Sequence, residues 1–519
     1  MTPELTVDNP IEPPKAAPST AGMTTKVVKG SIWTLGGSIA PLAVAFISIP
    51  FTIRFLGTES YGVLLLVGLI PTYFAFADFG MGVASTKFAS EAYGQGDEKK
   101  EAEIVWTATA IAAISALLIA VPIFLFSYQI VALLNVPEDL LSRASIALRI
   151  TSGSFFLGIL SAVLNSPMLA RLRMDLNMLT SAIPKILLAV GTPLILYFGG
   201  GIVEAVSWAF IVAAGTLAVV IYFSASLLPG LLSATFNRHL MRPLLKFGGG
   251  WLLAVAAGIL VANLEKLFLT QMVSVKALAY YSVAFSVAMM ATIFSHAMVQ
   301  SLVPAFSRLD RATSSAEFER LISRGIRTSI LWMLPTLTVM FVAAKPLFTI
   351  WAGEDFGTES VLPFYILLAS LFFNILAIVP HAAIVAAGRT DVFARVYWFE
   401  LAVYGVTAAF LVARFEVVGA ALAWSLRTIL DALFVIALSK RIAGVRFQFW
   451  FHLRLLSAGI LILACPIFLT LFVESELLIG GLLAACVCAY LVVAWRRFVS
   501  VDERYWILGQ LRDLLNALR

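Results

Sequence analysis

The sequence predicts an all-α fold, a polytopic integral membrane protein of about fourteen transmembrane helices. Apolar stretches, each roughly 20 residues long and separated by short polar loops, run from Ser31 to Trp495, the length a helix needs to cross a bilayer. The 519 residues are 61% hydrophobic and only 13% charged, which excludes a water-soluble globular domain. Lys and Arg alternate between the two sides of the bundle, as cationic cytoplasmic loops require.

The first span, 31–53, follows Lys26 and Lys29, and the second, 61–82, leads into Lys87, Lys99 and Lys100. Spans 104–126 and 145–170 return the chain to Arg171 and Arg173, and spans 176–198 and 202–224 to Arg238, Arg242 and Lys246. Spans 247–270 and 278–303 precede the run Arg308, Arg311, Arg320, Arg324 and Arg327; spans 328–350 and 361–386 precede Arg389 and Arg395. Spans 392–413 and 416–439 precede Lys440, Arg441 and Arg446, and spans 450–473 and 476–495 precede the basic tail from Arg496 to Arg519. The opposite side carries only Arg54, Arg143, Arg149, Lys266, Lys276, Lys345 and Arg414, so both termini are expected in the cytoplasm. Lys185 and Arg427 fall inside spans.

The net charge of +6 follows from this topology and anionic headgroups, without nucleic acid. Residues 1–29 hold five prolines and no apolar core, so they read as a disordered tail rather than a signal peptide. Cys465, Cys486 and Cys488 lie in the last two spans as small hydrophobes, without metal or redox spacing, and no disulfide is expected. Pro41, Pro50, Pro71, Pro184, Pro193 and Pro335 each remove a backbone hydrogen bond inside a span, as bent, moving helices do.

Two polar segments show helical stripes. Ser314 and Glu317 have capping-box spacing before Phe318, Leu321, Ile322 and Ile326, which predicts a short helix along the cytoplasmic interface. Ser500 and Glu503 precede Ile507, Leu511, Leu514, Leu515 and Leu518 in the same way.

No loop exceeds roughly 25 residues, which leaves no room for a separately folded catalytic domain. The chain lacks a G-x-x-x-x-G-K-[ST] loop, an H-E-x-x-H motif and a nucleophile elbow. No catalytic residue, metal site or cofactor is therefore expected.

An internal repeat relates Lys29–Gly62 to Lys246–Tyr281: a cationic, Gly-rich entry, Trp33 or Trp251, an apolar run, then Ser60-Tyr61-Gly62-Val63 against Ala279-Tyr280-Tyr281-Ser282. Six spans separate the two starts, an even number, so the halves are parallel repeats about an axis along the membrane normal.

Lys29-Gly30-Ser31, Ile53-Arg54-Phe55-Leu56-Gly57 with Tyr61-Gly62-Val63, and Asp78-Phe79-Gly80-Met81-Gly82 resemble the opening of polysaccharide-lipid flippases of the O-antigen (Wzx) type. These belong to the multidrug/oligosaccharidyl-lipid/polysaccharide exporter superfamily. Lys246-Phe247-Gly248, Glu265-Lys266, Tyr280-Tyr281-Ser282-Val283-Ala284 and Pro304-Ala305-Phe306-Ser307 continue the likeness, over roughly residues 26 to 440. Where many relatives carry an Asp followed by Arg or Lys in the seventh span, this chain has Asn263, then Glu265-Lys266.

The resemblance implies two parallel six-helix lobes plus two C-terminal helices. The corresponding division is a tail (1–29), an N-lobe (30–228), a cytoplasmic linker (229–246), a C-lobe (247–441), two extra spans (442–495) and an amphipathic tail (496–519). It also implies a protein of the bacterial inner membrane, with lipid-linked oligosaccharide and membrane lipids as partners alongside a polysaccharide polymerase and chain-length machinery. The implied activity is alternating access that carries an undecaprenyl-diphosphate-linked oligosaccharide from the cytoplasmic to the periplasmic leaflet.

Such a cargo needs cations and water held away from lipid. At 1.5 Å per residue, Lys185 lies about 13 Å from the cytoplasmic end of its span and Arg427 about 16 Å from the outer end of its own, both near the midplane. These are the leading diphosphate contacts, with Arg54, Lys266 and Arg149 as further candidates. Asp431, four residues after Arg427, could instead neutralise it, and Glu400 or Asp78 could pair with Lys185. Arg54 and Arg149 could snorkel to headgroups. Asp78, Glu265, Glu400 and Asp431 could carry a coupling proton or cation, or serve only in ion pairs. Adjacent residues point about 100° apart, so Glu265 and Lys266 do not satisfy each other. His296 and His381 read as packing residues that could titrate near neutral pH. Two other readings remain: a cation-coupled exporter of small amphiphiles, and an integral-membrane glycan polymerase or ligase.

Overall fold

A computed structural model describes residues 39–293, 315–389, 391–443 and 476–497, with Leu302, Val303, Phe306, Arg454, several positions between 456 and 464, and Arg504. Among these, eleven helices are long and apolar enough to cross a membrane, and a shorter apolar helix spans Val275–Met290. One of the eleven contains two spans, so these helices cover twelve of the predicted spans; the helix Val275–Met290 covers the first part of 278–303, and part of that span and most of 450–473 lie outside the described residues. The tail 1–29, the segment 507–518, Cys465 and His296 also lie outside them.

Helix α1 (Ile39–Leu56) passes into α2 (Thr58–Thr72) through one residue, Gly57, whose φ of +81° is open to glycine at little cost. The second span is broken. α2 stops just after Pro71, a 3-10 turn covers Ala75–Asp78, and α3 (Met81–Gly94) resumes. Phe79 and Gly80 turn left-handed at φ 51° and 69°, and the Asp78 carboxylate caps the restart by accepting from the Gly80 N–H at 2.9 Å and the Gly82 N–H at 3.2 Å. Asp78-Phe79-Gly80-Met81-Gly82 is therefore a helix break. Pro184, Pro193 and Pro335, by contrast, lie inside uninterrupted helices.

The first half continues through α4 (Glu98–Leu125), α5 (Ser127–Ala132), α6 (Glu138–Leu164), α7 (Ser166–Ala170), α8 (Met174–Tyr197) and α9 (Ile202–Leu227). The second comprises α10 (Arg238–Met272), α11 (Val275–Met290), α12 (Ser315–Ala352), α13 (Glu354–Glu359), α14 (Val361–Ala386) and α15 (Asp391–Ala443), followed by α16 (Glu476–Arg497). α15 carries spans eleven and twelve as two arms folded at Glu416, where φ is 51°. The fold brings Gly419 so close to the Leu411 carbonyl that any Cβ there would overlap it, and Tyr404 and Ala408 of one arm pack with Ala423 of the other.

The stripe at Phe318, Ile322 and Ile326 does not form a separate interfacial helix. It is the first part of α12, continuous with span nine, because these side chains bury against Phe306 and against Val379, Ala382 and Ala383 of α14 rather than facing headgroups.

The two halves touch through glycine. Val63, Leu66 and Val67 of α2 form one apolar cluster with Ala144, Ala147 and Leu148 of α6 and Val275 and Leu278 of α11. Within this seam Gly62 lies directly on the Val275 carbonyl, leaving no space for a Cβ. Towards the end bearing the basic loops, Gly80 faces Gly248 of α10, and a Cβ on Gly80 would lie 2.7 Å from the Gly248 carbonyl oxygen. The Tyr73 hydroxyl donates to the Asn263 carbonyl at 2.7 Å between these contacts, and the Asn135 amide donates to the Gln271 carbonyl at 2.5 Å.

Candidate functional site

Five of the charged residues singled out by the sequence converge in one polar and aromatic network across α10, α11 and α15. Its anchor is Glu265 of α10, which is fully buried. The Tyr281 hydroxyl of α11 donates to its Oε1 at 3.0 Å and the Tyr404 hydroxyl of α15 to its Oε2 at 2.8 Å. A buried carboxylate needs such donors, since an unmade hydrogen bond in this setting costs about 1–3 kcal/mol. Lys266 points elsewhere, as the 100° step requires. Its Nζ donates to Asn263 Oδ1 at 2.9 Å and sits 4.4 Å from the centre of the Phe285 ring.

Phe285 meets Trp424 edge to face, with ring centres 5.3 Å apart. Arg427, one turn beyond Trp424 on the second arm of α15, holds its guanidinium carbon 5.7 Å from both the Trp424 and Tyr404 rings. Its Nη1 lies 3.8 Å from Glu400 Oε2 on the first arm. The sequence offered Asp431 as the neutralising partner at helical spacing. The structure corrects this: the hairpin at Glu416 brings Glu400 opposite Arg427, and Asp431 sits beside Glu400, with His381 of α14 nearby.

Glu400 Oε2, Arg427 Nε and Asp431 Oδ1 are all buried without a hydrogen-bond partner. They lie at or beside a cavity of about 520 Å³ between the arms of α15, whose lining includes Phe399, Glu400, Tyr404, Arg427 and Phe434. Two carboxylates share one guanidinium here. The arrangement has capacity for an additional cation or proton.

The remaining candidates lie apart from this network. Arg54 is exposed and lines a cleft of about 990 Å³ between α1 and the end of α12, where Phe46 stacks on Trp351 at 4.8 Å and accepts the Trp351 indole N–H at 3.0 Å. Lys185 is exposed on α8 and forms no hydrogen bond or ion pair among the described residues. Neither expected partner reaches it, because Asp78 is engaged by Gly80 and Gly82, and Glu400 by Arg427. α8 packs on α1 through the Ser48 hydroxyl, which donates to the Ala189 carbonyl, and through Phe55 against Tyr197 at 5.6 Å. Arg149 Nε donates to Ser127 Oγ at 2.9 Å on the outer flank of the first half.

Sequence reasoning missed the aromatic half of the network. Tyr281 was visible as part of a motif, but nothing in the sequence pairs Tyr404, Phe285 or Trp424 with a charge. It also missed the bidentate contact of Arg171 with fully buried Glu101, at 2.5 and 3.1 Å, with Tyr93 beneath the guanidinium at 4.5 Å.

A family profile described as "Polysaccharide biosynthesis protein" matches residues 27–310. The chain is 23% identical over 419 residues to a Shigella flexneri protein named "Putative O-antigen transporter", covering 81% of this chain and 99% of that one. Among solved structures, a lipid II flippase MurJ in an inward closed conformation superposes with a TM-score of 0.67 at 15% identity, covering 93% of this chain and 100% of that one. An inward-facing multidrug resistance MATE family transporter of the MOP superfamily gives the same TM-score at 13% identity, covering 78% and 95%. A profile that spans more than half of the sequence, on a multi-pass helical fold shared with these transporters, sets the conclusion: the chain belongs to the polysaccharide biosynthesis protein family.

Proposed function

We propose that this protein is a transporter that moves a lipid-linked oligosaccharide, carried on undecaprenyl diphosphate, from the cytoplasmic to the periplasmic leaflet of the bacterial inner membrane for surface polysaccharide export. The observation that carries the reading is the family membership, joined to a Shigella flexneri relative named for O-antigen transport and matched over nearly its whole length. The two glycine seams support alternating access of an N-lobe (30–228) and a C-lobe (247–441). Gly62 on Val275 closes one end and Gly80 on Gly248 the other, two close backbone contacts that part when the lobes move as rigid bodies. The basic loops support cytoplasmic termini.

In this reading the roles of the charged residues divide. Lys185 and Arg54, exposed cations on the packed pair α8 and α1, meet the diphosphate. Arg427, held by Glu400, belongs with Asp431 and Glu265 to the coupling machinery, where uptake and release of a proton or cation biases the lobes. Lys266, half-buried beside Glu265, is a cargo contact only when the seam at Asn263 opens.

Deletion of the gene in its native host tests the reading. The expected result is loss of surface polysaccharide with accumulation of the lipid-linked oligosaccharide on the cytoplasmic leaflet. Intact surface polysaccharide together with increased drug sensitivity would transfer the assignment to an exporter of small amphiphiles.

A further inference from the structure

A groove between α4, α6 and α9 has no part in the transport reading. It encloses about 420 Å³ and is lined by Leu117, Val121, Phe124, Phe156 and Phe210, with Arg149 as its one charged group. Leu117, Val121, Phe124 and Phe210 are exposed, so the groove is an open apolar channel on the flank of the bundle.

The guanidinium at its mouth is held in place. Arg149 Nε donates to the hydroxyl of Ser127, a fully buried residue whose Oγ lies 3.0 Å from Ser145 Oγ, and the Phe124 ring centre lies 5.9 Å from the guanidinium carbon. No carboxylate pairs with Arg149 among the described residues. Its two Nη groups are left for a forked contact with an anion, the geometry that matches phosphate oxygens.

Direction and depth indicate where that anion comes from. Ala144, Ala147 and Leu148 of α6 bury against α2 at the seam between the halves. Arg149 lies about 100° round the helix from Leu148, so it faces away from the seam through which cargo would move. It is also about 6 Å inside the expected outer edge of its span, a depth from which an arginine reaches the headgroup layer.

We propose that this groove holds an anionic glycerophospholipid of the surrounding bilayer, with its phosphate on Arg149 and one acyl chain along Leu117, Val121, Phe156 and Phe210. Arg149 is then a lipid site rather than a cargo contact. The absence of a carboxylate partner favours a lipid with a net negative charge over a zwitterionic one.

Native mass spectrometry of the full chain in detergent, titrated with phosphatidylglycerol or phosphatidylcholine, tests the assignment. Wild-type protein is expected to retain phosphatidylglycerol preferentially, and Arg149→Ala to lower that retention about tenfold, the scale of one charge-assisted contact. Gly153→Leu leaves Arg149 in place but fills the groove, since even a Cβ there lies 3.0 Å from the Phe210 ring; it is expected to lower retention as well. It also serves as the second variant if Arg149→Ala does not fold. Arg143→Ala, which removes an exposed cation outside the groove lining, is the control and is expected to bind as wild type. Equal retention of both lipids, or unchanged phosphatidylglycerol binding by Arg149→Ala and Gly153→Leu, overturns the proposal. Displacement of phosphatidylglycerol by undecaprenyl diphosphate at equal concentration overturns it too, by returning Arg149 to the cargo path. The readout is lipid retention, so its failure is separate from any failure of transport.

Discussion

Arg427 points its guanidinium across a helical hairpin at Glu400, 3.8 Å away, rather than along its own helix at Asp431. The contact ties the two arms of α15 together near the middle of the bundle and leaves one guanidinium between two carboxylates. Removing the cation would leave both half-buried carboxylates without the guanidinium between them.

Arg427→Ala is accordingly expected to destabilise the folded protein by on the order of 3 kcal/mol, read from unfolding in mixed micelles. Glu400→Gln combined with Arg427→Gln should recover part of the loss, because no charge is then left unpaired at that contact. Strictly additive single and double changes would show that the two residues do not interact.

Tyr281→Phe and Tyr404→Phe each remove one donor from the Glu265 carboxylate. Each is expected to cost about 1–3 kcal/mol, and Glu265→Gln should reduce the effect of both. Wild-type stability in either tyrosine variant would mean that Glu265 is served by other groups.

The glycine seams give a prediction with opposite signs. Gly62→Ala forces a Cβ into the Val275 carbonyl, and Gly248→Ala forces one into the Phe79 carbonyl at the other end. Gly62→Ala should raise the accessibility of cysteine probes at its own end and lower it at the other, and Gly248→Ala should do the reverse. The same change in both variants would indicate general loosening instead of alternating closure.

Arg171→Ala removes the bidentate partner of fully buried Glu101 at the end bearing the basic loops. The expected loss is about 3–5 kcal/mol, visible as poor yield of folded protein, with Glu101→Gln in the same chain restoring part of it. Unchanged yield and melting would place Glu101 in contact with water.

The fold was largely legible because the bilayer imposes one length and one charge asymmetry on every span. The span 361–386 coincides with α14 to the residue. The break in the second span was harder to see, because Asp78-Phe79-Gly80 acts through left-handed backbone and a side-chain cap, neither of which hydropathy registers. The stripe at Phe318, Ile322 and Ile326 has the same periodicity whether it meets headgroups or α14, so only packing could separate the two. Arg427 was found by its depth, but its partner lies 27 residues back in the chain across a turn at Glu416, beyond any helical spacing rule. Tyr404 and Trp424 are ordinary aromatic residues in the sequence, and their role depends on which helices become neighbours.

The central claim is tested most directly in proteoliposomes that contain the purified chain and an undecaprenyl-diphosphate oligosaccharide with a fluorescent glycan, scored by its accessibility to an impermeant quencher. The account predicts that glycan crosses between leaflets in a protein-dependent manner, and that Lys185→Ala slows the crossing about tenfold or more while Lys185→Arg largely preserves it. Glycan that stays in its starting leaflet while folded, inserted protein is present would contradict the account.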